Sequence, residues 1–149
     1  MPTIREIANF LWEIADEVLR DDFKRSKYPD VILPFVVLRR LDCVLAPTKE
    51  AVLARRRKLE ALGLEPEQMD GQLRKAAGHA FYNTSRFDFP KLLDDHANIR
   101  KNLIAYINGF SQNVQDIVEN FSLRHNIDIL DQKNLLFLMV QKMCSPKAV

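Results

Sequence analysis

Apolar residues Ile4, Ile7, Ala8, Leu11, Ile14, Ala15 and Val18 recur at helical spacing, which lays one apolar stripe along a helix from about residue 4 to 20. Thr3 followed by Glu6 fits a reciprocal cap at its start: the threonine oxygen accepts the Glu6 N–H and the carboxylate returns to the Thr3 N–H. The polar stretch DDFKRSKYPD follows, and then VILPFVVLRRLDCVL, in which nearly every position up to Leu38 is apolar. A helix apolar all round is a central one. Pro34 lacks an N–H and crowds the preceding turn, so the helix is expected either to begin near Leu33 or to be distorted, with a kink instead of a break.

Ala46 and Pro47 end that element. Thr48 is positioned to cap a third helix, TKEAVLARRRKLEALG, closed by Gly63, and a weaker helix spans Glu67 to Ala77 between Pro66 and Gly78. HAFYNTSRFDFPKL mixes aromatics with Asn, Ser and Thr without a period and reads as a packed loop. Ile99, Leu103 and Ile107 form one further helix, and Val114, Ile117, Val118 and Phe121 another after Gly109, with Ser111 as its cap. A last buried helix covers Leu135 to Val140 and Met143, with Asp128 and Asp131 as expected caps and Pro146 beyond it. Nothing alternates as strands do. The expected fold is all-α, an irregular bundle of about six to seven helices in one domain over residues 1–149.

The longest apolar run, Val31 to Leu38, falls far short of the roughly 20 residues that span a bilayer. The first residues lack the basic start and apolar stretch of a secretory signal, so a cytoplasmic location is expected. Cys43 and Cys144 read as reduced thiols, having neither CxxC nor Cys/His spacing. The four glycines, at 63, 71, 78 and 109, are too scattered for a phosphate-cradling loop.

The net charge of +2 conceals a division. Residues 1–22 carry two basic and six acidic side chains, residues 23–60 carry ten and four, and the remainder balance. The basic block supplies the candidate phosphate contacts: Lys24, Arg25 and Lys27 in the first connection, Arg39 and Arg40 late in the central helix, and Arg55, Arg56, Arg57 and Lys58 on the third. Such contacts release counterions and make affinity salt-dependent. Four consecutive helical residues fan through about 300°, so at most two of the last four share a surface, and a merely solvated face competes with this reading. His79, His96 and His125 lack metal-ligand spacing. Asp21 with Asp22 and Asp94 with Asp95 point about 100° apart and make no acid/base pair. Ser85 and Ser111 have no nucleophile motif around them, and the aromatics Phe81, Tyr82, Phe87 and Phe89 read as core plugs before base-stacking platforms.

In order along nearly the whole chain, the LWEIAD opening, the DVILPFVVLRRLD helix, the FYNTSRFDF loop and the YINGFS turn resemble the N-terminal helical domain of modification (methyltransferase) subunits of type I restriction-modification systems. The resemblance implies that this domain precedes a catalytic domain that binds S-adenosylmethionine and methylates adenine N6 in DNA. It implies as partners a specificity subunit, a second modification subunit and, in the full complex, a restriction subunit. The chain contains no Asn-Pro-Pro-Tyr/Phe tetrapeptide, so it reads as a part of the larger subunit, with no cofactor of its own and no methyl transfer alone. Flipping a base for modification costs a few kcal/mol and requires DNA held on several sides. The expected role is to help clamp double-stranded DNA through weak, non-specific contacts and to assemble subunits. The alternative is a pure protein-docking module. An exposed apolar patch, with Arg55 to Lys58 spread around their helix and paired with acids of the N-terminal helix such as Glu13, Asp16 and Glu17, would favour the alternative.

Overall fold

The computed structural model describes residues 3–21 and 23–144. Among them are nine α-helical segments: α1 Ile4–Ile14, α2 Tyr28–Leu45, α3 Lys49–Ala61, α4 Pro66–Ala77, α5 Phe89–Leu92, α6 Ile99–Asn108, α7 Gln112–Asn120, α8 Leu123–Gln132 and α9 Leu136–Met143. The one extended pairing among the described residues is an isolated antiparallel bridge between Asn83 and Phe110. The expected all-α bundle is thus the observed fold, with two segments beyond those the pattern marks.

The expected reciprocal cap opens α1, with Glu6 N donating to Thr3 Oγ1 at 3.1 Å and Thr3 N to Glu6 Oε2 at 2.9 Å. The element continues to Leu19 as a single π-helical stretch, Ala15–Leu19, which still buries Ala15, Val18 and Leu19. Helix α2 starts at Tyr28, with Pro29 in its first turn, and runs unbroken through Pro34. The carbonyl that Pro34 leaves without an amide partner belongs to Asp30, an exposed residue in that first turn, where a missing bond is cheapest. Gly63 and Gly78 close α3 and α4 in the left-handed conformation, both at φ +76°.

Three caps depart from expectation. The Thr48 hydroxyl donates to the Ala77 carbonyl at 2.9 Å, tying the start of α3 to the end of α4, instead of capping its own helix. Ser111 occupies the position before α7, but its hydroxyl donates to Asn113 Oδ1 and accepts from Tyr82 N. Asp128 and Asp131 do not precede the last helix; they lie inside α8, and Asp128 pairs with Arg100 of α6 at 2.7 Å. The expected Pro146 stop lies outside the described residues.

The core joins α1, α2, α6, α8 and α9, with Phe10, Phe35, Leu103, Tyr106, Ile127 and Met139 almost without solvent contact. Helix α3 packs on α4, both reach the same core through Val52, Leu59, Met69, Leu73 and Ala77, and the loop from residue 79 to 88 ties α3 to α6.

Candidate docking and nucleic-acid surfaces

The sequence around the loop builds a buried polar node. Asp42, on the inner face of α2, accepts from Tyr106 Oη at 3.0 Å, Arg39 Nη1 at 3.1 Å and the Phe89 N–H at 3.2 Å. Beside it, Lys49 Nζ donates to Asn83 Oδ1 and to the Phe87 carbonyl, both at 2.9 Å. Asn83 in turn donates to the Tyr106 carbonyl at 2.8 Å. Burial pushes the Asp42 carboxyl upward and brings Lys49 down to about 8, and it also lifts the Tyr106 hydroxyl well above its ordinary range. These groups satisfy one another, as buried polar groups must. Their position fastens the FYNTSRFDF segment to α2, α3 and α6. The pattern of that segment marks a packed loop but carries no sign of the node.

The candidate basic residues divide by environment. Arg39 faces inward: it donates to Asp42 and to the Met143 carbonyl at 3.1 Å, and its guanidinium stands over the Phe89 ring. Arg56 is held by Glu60 at 2.7 Å and by Thr84. Arg55 is exposed and reaches Gln72 at 3.4 Å. Arg25 is exposed over the Trp12 ring, 5.7 Å from its centroid. Lys24, Lys27, Arg40, Arg57 and Lys58 are exposed. The residues border different features: Arg25 lines a cavity with Trp12 and Leu33, whereas Arg56 lines a cleft with Asp70 and Thr84 on the α3–α4 side. The run from Arg55 to Lys58 fans around α3, and the partners seen for it are Gln72, Glu60 and Thr84; of the acids expected to pair with it, Glu17 is joined instead to Lys142 of α9.

The outer side of α2 carries an apolar face that sequence reasoning misses. The core side of the helix is formed by Val31, Ile32, Phe35, Leu38, Asp42 and Leu45. Directly opposite, Leu33, Val37, Arg40 and Val44 follow i, i+4, i+7, i+11 and fall within about 60° of one another on the helix. Leu33 is 41% exposed, Val37 39% and Val44 45%. Trp12 of α1, 55% exposed, shares a cavity of about 400 Å³ with Leu33, and Ile117 of α7, 48% exposed, lines a crevice with Val37. The stripe thus runs past two separate hollows, one against α1 at Leu33 and one against α7 at Val37, and together they make an apolar trough along α2. The signal lies in the very uniformity of α2, since a helix apolar on every side must either be enclosed or present an apolar face to a partner.

Other chemistry stays bland. His79 stacks on Phe81 and His96 on Phe137, and no group of His, Cys, Asp and Glu among the described residues is arranged to hold a metal. Both cysteines are free thiols. The glycines make no nucleotide cradle: two close helices, Gly71 lies within α4, and the space before Gly109 is filled by Ser85 and Asn83. No helix among the described residues is long and apolar enough to cross a membrane.

A family model described as the HsdM N-terminal domain matches residues 7–143. No curated protein and no solved structure matches the chain.

Proposed function

The chain belongs to the HsdM N-terminal domain family, the N-terminal domain of type I restriction-modification modification subunits, and on that premise we propose that it serves as an assembly domain that seats on neighbouring subunits of the complex. The observation that carries this reading is the apolar trough of Leu33, Val37, Val44, Trp12 and Ile117. Exposed apolar surface is ordinary when scattered, but residues gathered on one helix face and continued onto two neighbours mark a contact surface. The partners of this reading are the specificity subunit and a second modification subunit, with the restriction subunit joining the full complex. Methyl transfer and S-adenosylmethionine binding belong, in this reading, to another part of the modification subunit.

The test is Val37→Asp in the assembling subunit. The side chain is part exposed and part set in the crevice with Ile117, so helicity should hold and melting fall modestly, while association with the specificity and second modification subunits, measured well below the melting point, weakens. Assembly at wild-type affinity would sink the docking reading.

A second reading is favoured by the exposure of Lys24, Lys27, Arg40, Arg57 and Lys58. These side chains would contact phosphates of double-stranded DNA without reading bases. Arg39 and Arg56 contribute little to it, because their guanidinium groups are committed within the fold. Reversing Arg57 and Lys58 to Glu in the assembled enzyme should lower the slope of log K against log salt by roughly 0.9 for each phosphate that is no longer neutralised. An unchanged slope would remove these two residues from the DNA surface.

A further inference from the structure

We infer that the occupant of the trough is an amphipathic helix of a partner subunit whose apolar ridge carries two carboxylates, one received by Arg25 and one by Arg40. The inference rests on the docking reading and adds the chemistry of the partner. The floor has helical periodicity, so the side chains that fill it best come from another helix, whose ridge packs into the groove between α2 and its neighbours. Apolar anchors at helical spacing are how a helix is held in such a groove.

Charge then selects the occupant. Arg25 is the one charged residue, among those described, lining the cavity shared by Trp12 and Leu33, and Arg40 lies within the stripe itself. Both are cations and lie among the apolar side chains, whereas the exposed acids Asp30, one turn before Leu33, and Asp16, one turn after Trp12, line neither hollow. The Arg25 guanidinium is already placed over the Trp12 ring at 5.7 Å, so an arriving carboxylate meets a fork partly ordered beforehand. A partner helix with a lysine at those positions would bring like charges together as water leaves, which discriminates more strongly than the apolar contact alone.

Trp12 is the single tryptophan of the chain and reports on the trough directly. The probe is a synthetic amphipathic helix of about 18 residues, matched to the length of α2, with leucines at i, i+4, i+7 and i+11 and glutamates placed toward Arg25 and Arg40. A second peptide carries lysines in place of the glutamates. The glutamate peptide should shift Trp12 emission to the blue and bind about tenfold more tightly than the lysine peptide. Arg25→Glu with Arg40→Glu should invert that preference. Equal affinity for the two peptides, or Trp12 emission unmoved by either, would overturn the proposal. So would a blue shift that grows with concentration of the protein alone, which would identify a second copy as the occupant. The failures are separable: Val37→Asp that blocks subunit assembly, together with equal peptide affinities, leaves docking standing and removes only the acidic helix.

Discussion

The hydroxyl of Tyr106 donates to Asp42 Oδ1 at 3.0 Å, joining two residues 64 positions apart inside the core. Arg39 and the Phe89 amide bring the other donors, so the carboxylate gathers α2, α6 and the start of α5 at one point. This node and the apolar trough lie on opposite sides of the same helix. Asp42 is fixed inward with Leu38 and Leu45, which leaves Leu33, Val37 and Val44 no choice but to face out.

Tyr106→Phe should therefore destabilise the fold by about 1–3 kcal/mol, the cost of leaving a buried acceptor short of one donor. The ring would keep its edge contacts with Phe89 and Phe110, at 5.7 and 5.0 Å between centroids, so the loss belongs to the hydroxyl. Asp42→Ala should cost more, because it orphans three donors at once. Urea midpoints of the two variants test the order, and wild-type stability in Tyr106→Phe would contradict it.

Lys49 predicts an alkaline signature. Its ammonium falls to about 8 in the fold from 10.5, chiefly through burial. Between those values the unfolded chain holds a proton that the folded chain has released, so stability rises as pH climbs through that window and is level below it. The tyrosines act the other way: Tyr82 is lifted to about 12 and Tyr106 well above 10, so above pH 10 their contribution falls. Asp42, raised by burial, contributes stability that falls as pH climbs from its ordinary value through its folded one. The difference between wild type and Lys49→Met removes these common effects. It should grow in favour of wild type from about pH 8 to 9.5, and a difference flat with pH would refute the assignment.

Helices with apolar stripes and ordinary punctuation are legible in the sequence. The Thr3–Glu6 cap, Gly63 and Gly78 can be read there because each acts within a few residues of itself. Helix α8 escapes because Ser122 enters it at φ 52°, without a side-chain cap, and because Asp128 and Asp131 mimic caps of the next element. The polar node is illegible for another reason: apart from Arg39 and Asp42, three residues apart, its partners are separated by 23 to 64 positions, and no local pattern encodes such pairings. The basic block is visible as composition, but only geometry shows that Arg39 is spent on Met143 and Asp42.

The displaced role of Thr48 can be measured. Its hydroxyl joins the Ala77 carbonyl, so Thr48→Ala should lower stability by about 0.5–1.5 kcal/mol, while Thr48→Ser retains the bond and most of the stability. Hydrogen exchange separates this from a cap. Loss of the tie should raise exchange at the end of α4, around Ala77 and Gly78, whereas loss of a cap would raise it only in the first turn of α3.

Two glycines should respond to alanine with opposite signs. Gly71 sits inside α4, and a Cβ there meets nothing within 4 Å. Alanine should raise stability by roughly 0.5–1 kcal/mol, because it removes backbone freedom from the unfolded chain without a clash. At Gly109 the backbone is ordinary, with φ −79°, yet a Cβ would lie 2.7 Å from Ser85 N and 2.9 Å from Asn83 Oδ1. Ser85 N is backbone and Asn83 is held by Lys49 and Tyr106, so neither yields without disturbing the node. Alanine at this site should cost about 1–3 kcal/mol, as overpacking does. Thermal melts of the pair are decisive: if Gly109→Ala melts with wild type, the loop from Asn83 to Ser85 does not press on the α6–α7 turn as described, and the node loses the support of that wall.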